Sequence, residues 1–219
     1  MPILVVGGHT RNIGKTSVVA GLVAALPHLN WTAMKITQFG HNVCSANGEP
    51  CDCQTADHTL AISEERDPTT GTDTSRFLAA GARRVFWVRT RQGQLAEAMP
   101  RVRKLLAEAD NAIVESNSVL RFLQPDLSLS VLDPSIADFK PSALRYLDRT
   151  DALIVPATAS PQLVAPDTSV AWPNISPRLL ASKPHFYMRP PVYCSPELIQ
   201  FVSTRLLAAT NVTLQNVAE

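Results

Sequence analysis

Gly14, Lys15 and Thr16 follow a glycine-containing turn and precede a run with helical spacing, the arrangement that binds a polyphosphate. Such a turn offers consecutive backbone N–H groups and the positive end of a helix to an anion. Lys15 then reaches the β- and γ-phosphates, and the Thr16 hydroxyl ligates Mg²⁺. The standard spacing has four residues between the two glycines. Here five separate Gly8 from Gly14, namely His9, Thr10, Arg11, Asn12 and Ile13. With Ser17 added, Gly8 to Ser17 form the expected binding loop for ATP or GTP. Glu115 closes an apolar run and is the expected second Mg²⁺ ligand beside Thr16, because strand ends line the ligand crevice of such folds. Lys35 ends another such run. It is expected to face the acceptor, stabilising charge on a transferred phosphoryl group. The competing readings are a solvated Lys15, a strand-end Glu115 facing water, and a Lys35 that snorkels.

The elements that must position these residues are readable from periodicity. Residues 3–6 are continuously apolar, as in a parallel strand buried on both faces. Val18, Val19, Leu22, Val23 and Leu26 then follow helical spacing, and Pro27 stops the run. Strands are expected at 31–37, 84–88, 112–115, 127–132, 152–156 and 185–188. Helices are expected at 56–65, from Thr72 or Asp73 to 82, along the face Leu95, Met99, Val102 and Leu106, at 141–147, 178–182 and 196–207. Pro100 would cost about 3 kcal/mol inside a helix, which predicts a kink or a fresh start there. Alternation of strands with helices implies an α/β fold, a doubly wound and mainly parallel sheet with helices on both faces. The expectation is one nucleotide-binding domain over 1–219, with a Cys-rich insertion around 38–72.

With these residues located, the chain resembles the P-loop nucleotide hydrolases that include dethiobiotin synthetase and the MobB-type proteins of molybdopterin-guanine dinucleotide biosynthesis. The long loop from Gly8 to Thr16 is similar to that of dethiobiotin synthetases. Met34-Lys35-Ile36-Thr37, then Asp73-Thr74-Ser75-Arg76 with Ala80-Gly81-Ala82, then Val114-Glu115-Ser116-Asn117, resemble MobB segments in their order. The resemblance covers roughly residues 3–132. It implies a Mg²⁺-dependent ATP- or GTP-using enzyme (hydrolase, ligase or kinase-like) related to cofactor biosynthesis, and relatives that are often homodimers. Asp73 and Arg76 become candidates for substrate contact, against the plainer reading of a helix cap and a solvated arginine. No Asn-Lys-x-Asp signature for guanine follows, which tilts the base toward ATP without deciding it.

His41, Cys44, Cys51 and Cys53 lie close together in the long polar stretch at 38–72, with His58 as a substitute for His41. Thiolates and an imidazole at such separations suit a tetrahedral zinc site, better than an iron–sulfur cluster that would need distant Cys194. Redox-sensitive thiols and incidental loop cysteines are the other readings. The same stretch is where an unknown small-molecule acceptor is expected. A second function class follows from the cluster: an adaptor or metallochaperone whose metal is held or released with nucleotide state. A third reading is a loop that no longer binds nucleotide.

Composition sets the outer bounds. Of 219 residues, 45% are hydrophobic and 18% charged, the balance of a globular α/β chain. The net charge of +1 provides no general basic field for nucleic acid. No apolar run is long enough for a membrane span, and Met1-Pro2-Ile3 lacks the basic start of a signal peptide. A cytoplasmic location is expected.

Overall fold

The apolar run at the start forms β1 (Ile3–Gly8), and the chain alternates from there between strands of one sheet and helices on its two faces. The computed structural model describes residues 1–39, 60–159, 172 and 175–217. The strands after β1 are β2 (Trp31–Phe39), β3 (Leu60–Glu65), β4 (Arg84–Arg91), β5 (Asn111–Glu115), β6 (Leu127–Val131), β7 (Ala152–Pro156) and β8 (His185–Met188). The described helices are α1 (Lys15–Ala25), α2 (Asp73–Ala79), α3 (Leu95–Ala107), α4 (Pro141–Leu144), α5 (Pro177–Ala181) and α6 (Pro196–Val217). The sheet order is β3-β4-β2-β5-β1-β6-β7-β8, all parallel except the β3–β4 pair. This is a doubly wound, mostly parallel α/β fold of the P-loop type. Among the described residues no helix is long and apolar enough to cross a membrane.

The period of two along each strand sorts the core into two layers. Leu4, Val6, Ala33, Ile113 and Ile154 pack with Val18 and Leu22 of α1, Phe77 of α2 and Leu198 and Val202 of α6. Val5, Met34, Phe86, Val88, Ala112 and Val114 face the opposite side, against Leu95, Met99, Val102 and Leu106 of α3. That second side continues over β7, where Leu153 and Val155 meet Leu147, Trp172 and Leu180.

Several boundaries differ from the sequence expectation. The segment expected as a helix at 56–65 is a strand where it is described, β3, antiparallel to β4 at the sheet edge. Ala, Leu and Glu favour a helix locally, yet the open edge of β4 offers a row of backbone partners, and Leu60 and Ile62 alternate onto the α3 layer. Glu64 then pairs with Arg84 at 3.0 Å, and Glu65 accepts from Thr72 and Thr74 at 3.1 and 3.0 Å. α2 stops three residues early, because left-handed Gly81 (φ +102) turns the chain. The Ala82 and Gly81 N–H groups return to the Phe77 and Leu78 carbonyls, which satisfies the helix end. Pro100 starts no new helix. α3 runs through it, with Pro100 and Ala96 on the solvent side, where water can serve the carbonyl deprived of a partner.

α1 and the start of α6 meet at Gly21, where a Cβ would lie 2.7 Å from the sulfur of buried Cys194. In an open helix Gly→Ala gains up to about 1 kcal/mol. Here Gly21→Ala is expected to destabilise by about 1 kcal/mol, because overpacking outweighs that gain. Urea titration of Gly21→Ala against the Gly21→Ala/Cys194→Ala double variant checks this. Removing the sulfur should return most of the loss.

Candidate functional site

The chain leaves β1 through α1 toward β2 on one side of the sheet, and leaves β5 toward β6 on the other side of β1. That reversal opens a crevice at the carboxyl ends of the central strands, where doubly wound folds hold ligands. Glu115, the last residue of β5, sits there only 6% exposed. A buried carboxylate needs partners, and among the described residues it has two. The Thr16 hydroxyl, from the first turn of α1, donates to its Oε2 at 2.9 Å, and Lys35 Nζ, from β2, lies 3.2 Å from its Oε1. Lys35 also bonds the Asp73 carboxylate at the start of α2. Thr72 caps α2, its oxygen accepting from Ser75 N–H at 3.1 Å, so Asp73 is left for Lys35. One turn on, Arg76 donates to the Ser17 hydroxyl at 2.8 Å and joins α2 to α1.

The loop between β1 and α1 is shaped by its backbone and braced from outside. Asn12 (φ +57) and Gly14 (φ +94) both take the left-handed region, which lets the chain fold over before α1 begins. Lys15 Nζ donates back to the Thr10 carbonyl inside the loop. Asn117, two residues past Glu115, donates to the Gly8 carbonyl and accepts from the Gly8 N–H, both at 2.8 Å. Only a glycine at position 7 permits this, since a Cβ there would come within 2.2 Å of the Asn117 oxygen. On the other flank Thr10 donates to Asp138, and the Lys140 N–H reaches the His9 carbonyl at 2.8 Å. His9 is fully buried, 5.3 Å from the Phe139 ring and 4.9 Å from Trp172. Burial lowers its pKa and keeps the imidazole neutral at pH 7.

A cleft of about 1100 Å³ opens above these groups. Of the loop residues singled out in the sequence, Arg11, Asn12, Ile13, Gly14, Lys15, Thr16 and Ser17 line it, as do Lys35 and Glu115. Asp73 and Arg76 line it too. Gly8, His9 and Thr10 do not; they form the braced base of the loop. Asn117 and the Asp138–Lys140 segment carry that brace, and sequence reasoning missed their part in it. The one local signal was a carboxamide placed just past a strand-end carboxylate. His41, Cys44, Cys51, Cys53 and His58 lie outside the described residues. Among the described residues no group of three His, Cys, Asp or Glu side chains is arranged to hold a metal.

The cleft is strongly cationic, with eight Lys and Arg side chains among its described lining residues against the carboxylates of Asp73 and Glu115. Burial, together with the positive charges of Lys140 and Lys35, outweighs the attraction of Glu115 and brings the Lys15 pKa down to about 8. Burial likewise lowers Lys140, helped by Arg11 beside it.

No protein-family model and no curated protein matches this chain. Among solved structures it is similar to HypB from Helicobacter pylori, solved in complex with nickel, at 14% identity and a TM-score of 0.48. That match covers 96% of this chain and 87% of HypB. It is also similar to LpxK from Aquifex aeolicus, solved in complex with ATP, at 17% identity and a TM-score of 0.48. There it covers 86% of this chain but only 54% of LpxK.

Two outcomes follow from this geometry. Asn117→Ala strands the Gly8 N–H and carbonyl, so urea unfolding should show a loss of about 1–3 kcal/mol. Lys15 titrates lower in the folded chain than its ordinary 10.5, so the native state holds fewer protons than the unfolded state between about pH 8 and 10.5. The cost of burying its charge is therefore complete below pH 8 and relieved as pH rises through that window. Measured against Lys15→Met, wild type should gain relative stability from pH 8 to 10.5 and show no such trend between pH 6 and 7.

Proposed function

We propose that this chain is an enzyme that binds a Mg²⁺–nucleoside triphosphate in the Gly8–Ser17 loop and uses its γ-phosphate. The observation that carries the reading is the 2.9 Å approach of the Thr16 hydroxyl to the Glu115 carboxylate, beside Lys15 at the base of a cationic cleft. These are two hard oxygen donors side by side, the ligand type that Mg²⁺ prefers, so the residues fit the ion. Bound there, Mg²⁺ would supply neutralisation of the charge on the β- and γ-phosphate oxygens. Lys15 exchanges its bond to the Thr10 carbonyl for phosphate oxygens, and the turn amides before α1 hold the rest of the tail. Lys35, held by Glu115 and Asp73, stands on the acceptor side, where a fixed positive charge favours the transition state over the ground state. Hydrolysis, ligation and phosphoryl transfer all share this donor half-site. The ordered resemblance to dethiobiotin synthetase and MobB-type proteins supports a setting in cofactor biosynthesis.

Thermal unfolding with ATP, GTP and their Mg²⁺ complexes tests the reading. A nucleotide at one hundred times its dissociation constant stabilises by about 2.7 kcal/mol, which raises the midpoint by several degrees. Lys15→Ala should remove the shift, and Glu115→Gln should remove the advantage of the Mg²⁺ complex over free nucleotide. A wild-type protein that no nucleotide stabilises refutes the proposal.

A further inference from the structure

The cleft extends well past the loop, under the carboxyl ends of β2 and β4 and the turn that follows β5. The β2–β4 register sets Lys35 beside Trp87 and Thr37 beside Arg89, with all four side chains on one face of the sheet. These groups form a built surface. The Trp87 indole N–H donates to the Thr37 hydroxyl at 3.1 Å. The Arg89 guanidinium lies over the Trp87 ring, 4.3 Å from its centroid, and donates to the Ser63 hydroxyl at 3.1 Å. Arg89 is 8% exposed and still lines the cleft. β2 lies between β4 and β5, and Arg121, in the turn after β5, enters the same cleft with its guanidinium 5.5 Å from the Phe122 ring.

Charge balance shows what this surface is suited to. The two carboxylates in the described lining, Asp73 and Glu115, are both bonded to Lys35. A Mg²⁺-bound triphosphate carries a net charge of about −2. Even with Arg89 left aside, the positive surplus of the described lining exceeds that amount. Flat guanidinium groups seated on aromatic rings are suited to forked recognition of carboxylate or phosphate oxygens.

We propose that the β2–β4 end of the cleft binds a second small molecule through an oxyanion, with Arg89 and Arg121 as its specificity-determining contacts and Lys35 between it and the loop. This assignment rests on the nucleotide reading for which half of the cleft the triphosphate fills. A carboxylate and a phosphate ester share the chemistry, so the test carries both.

Inorganic phosphate and succinate are titrated calorimetrically into protein saturated with Mg²⁺ and a non-hydrolysable triphosphate. At least one probe should bind at a single site, and Arg121→Gln, a surface change that leaves the unfolding midpoint unaltered, should weaken it by about tenfold or more. Phosphate as the better probe marks a phosphorylated reactant, and succinate a carboxylate. Arg89→Gln should act in the same direction. A second arm uses Lys15→Ala without nucleotide, where the probe should still bind and still depend on Arg121. Arg121-dependent probe binding together with a wild-type protein that no nucleotide stabilises would end the nucleotide reading and leave this one standing. If neither probe binds, or if the folded Arg121→Gln protein binds as wild type does, the proposal is wrong.

Discussion

The Glu115 carboxylate is the point on which the site's geometry depends. It is nearly removed from water, and the Thr16 hydroxyl and the Lys35 ammonium meet its two oxygens. Those partners come from α1 and β2, so one buried anion ties β5 to both elements on which the cleft is built. Lys35 then passes the constraint to α2 through Asp73, and Arg76 closes the circuit onto Ser17. Breaking a pair of this kind leaves an uncompensated buried charge, which costs far more than an exposed ion pair contributes.

The longer loop is accommodated by support from beneath. Two left-handed residues, Asn12 and Gly14, take up the extra chain length, while Ile13 between them is buried. His9 and Thr10 turn inward and are held by Phe139, Trp172 and Asp138, and Asn117 fixes Gly8 from the opposite flank. The loop thus divides into a base bonded to the protein and a rim, Arg11 to Ser17, facing the cleft. Amides positioned before a ligand arrives lose little entropy when it binds, and that is how such loops hold phosphate well.

How much of this was legible in the sequence depended on whether the signal was local. The continuous apolar run at 3–6, helical spacing from Val18, and turn glycines marked β1, the loop and α1 because the causes lie within a few residues of the effects. Ala152–Pro156 and His185–Met188 were legible at their observed limits for the same reason, each being a short apolar run between breakers. β3 was not, since its conformation is decided by the free edge of β4, and composition alone favours a helix there. Nor was the brace: Asn117 meets Gly8 across 109 positions and Asp138 meets Thr10 across 128. No periodicity encodes contacts so distant. The approach of Thr16 to Glu115 is as distant, and it was anticipated only because strand ends in a doubly wound sheet converge on one crevice.

The same convergence explains the electrostatic character of the cleft. β5 ends at Glu115, β2 sets Lys35 level with it, and β1 leads into the loop that carries Lys15, so burial raises the cost of every cation brought there. Lys15 shows the consequence, its pKa lowered to about 8 because burial, with the surrounding positive charge added, exceeds what Glu115 offsets. Such a site is less stable empty than occupied by an anion, which inverts the usual relation in which a well-packed interior is indifferent to ligand. On the nucleotide-binding reading proposed above, stability lost in the unliganded fold reappears as affinity when phosphate oxygens take the place of the Thr10 carbonyl at Lys15. A chain whose net charge is only +1 thus gathers eight Lys and Arg side chains around one cleft at the carboxyl ends of the strands, where their fields reinforce one another.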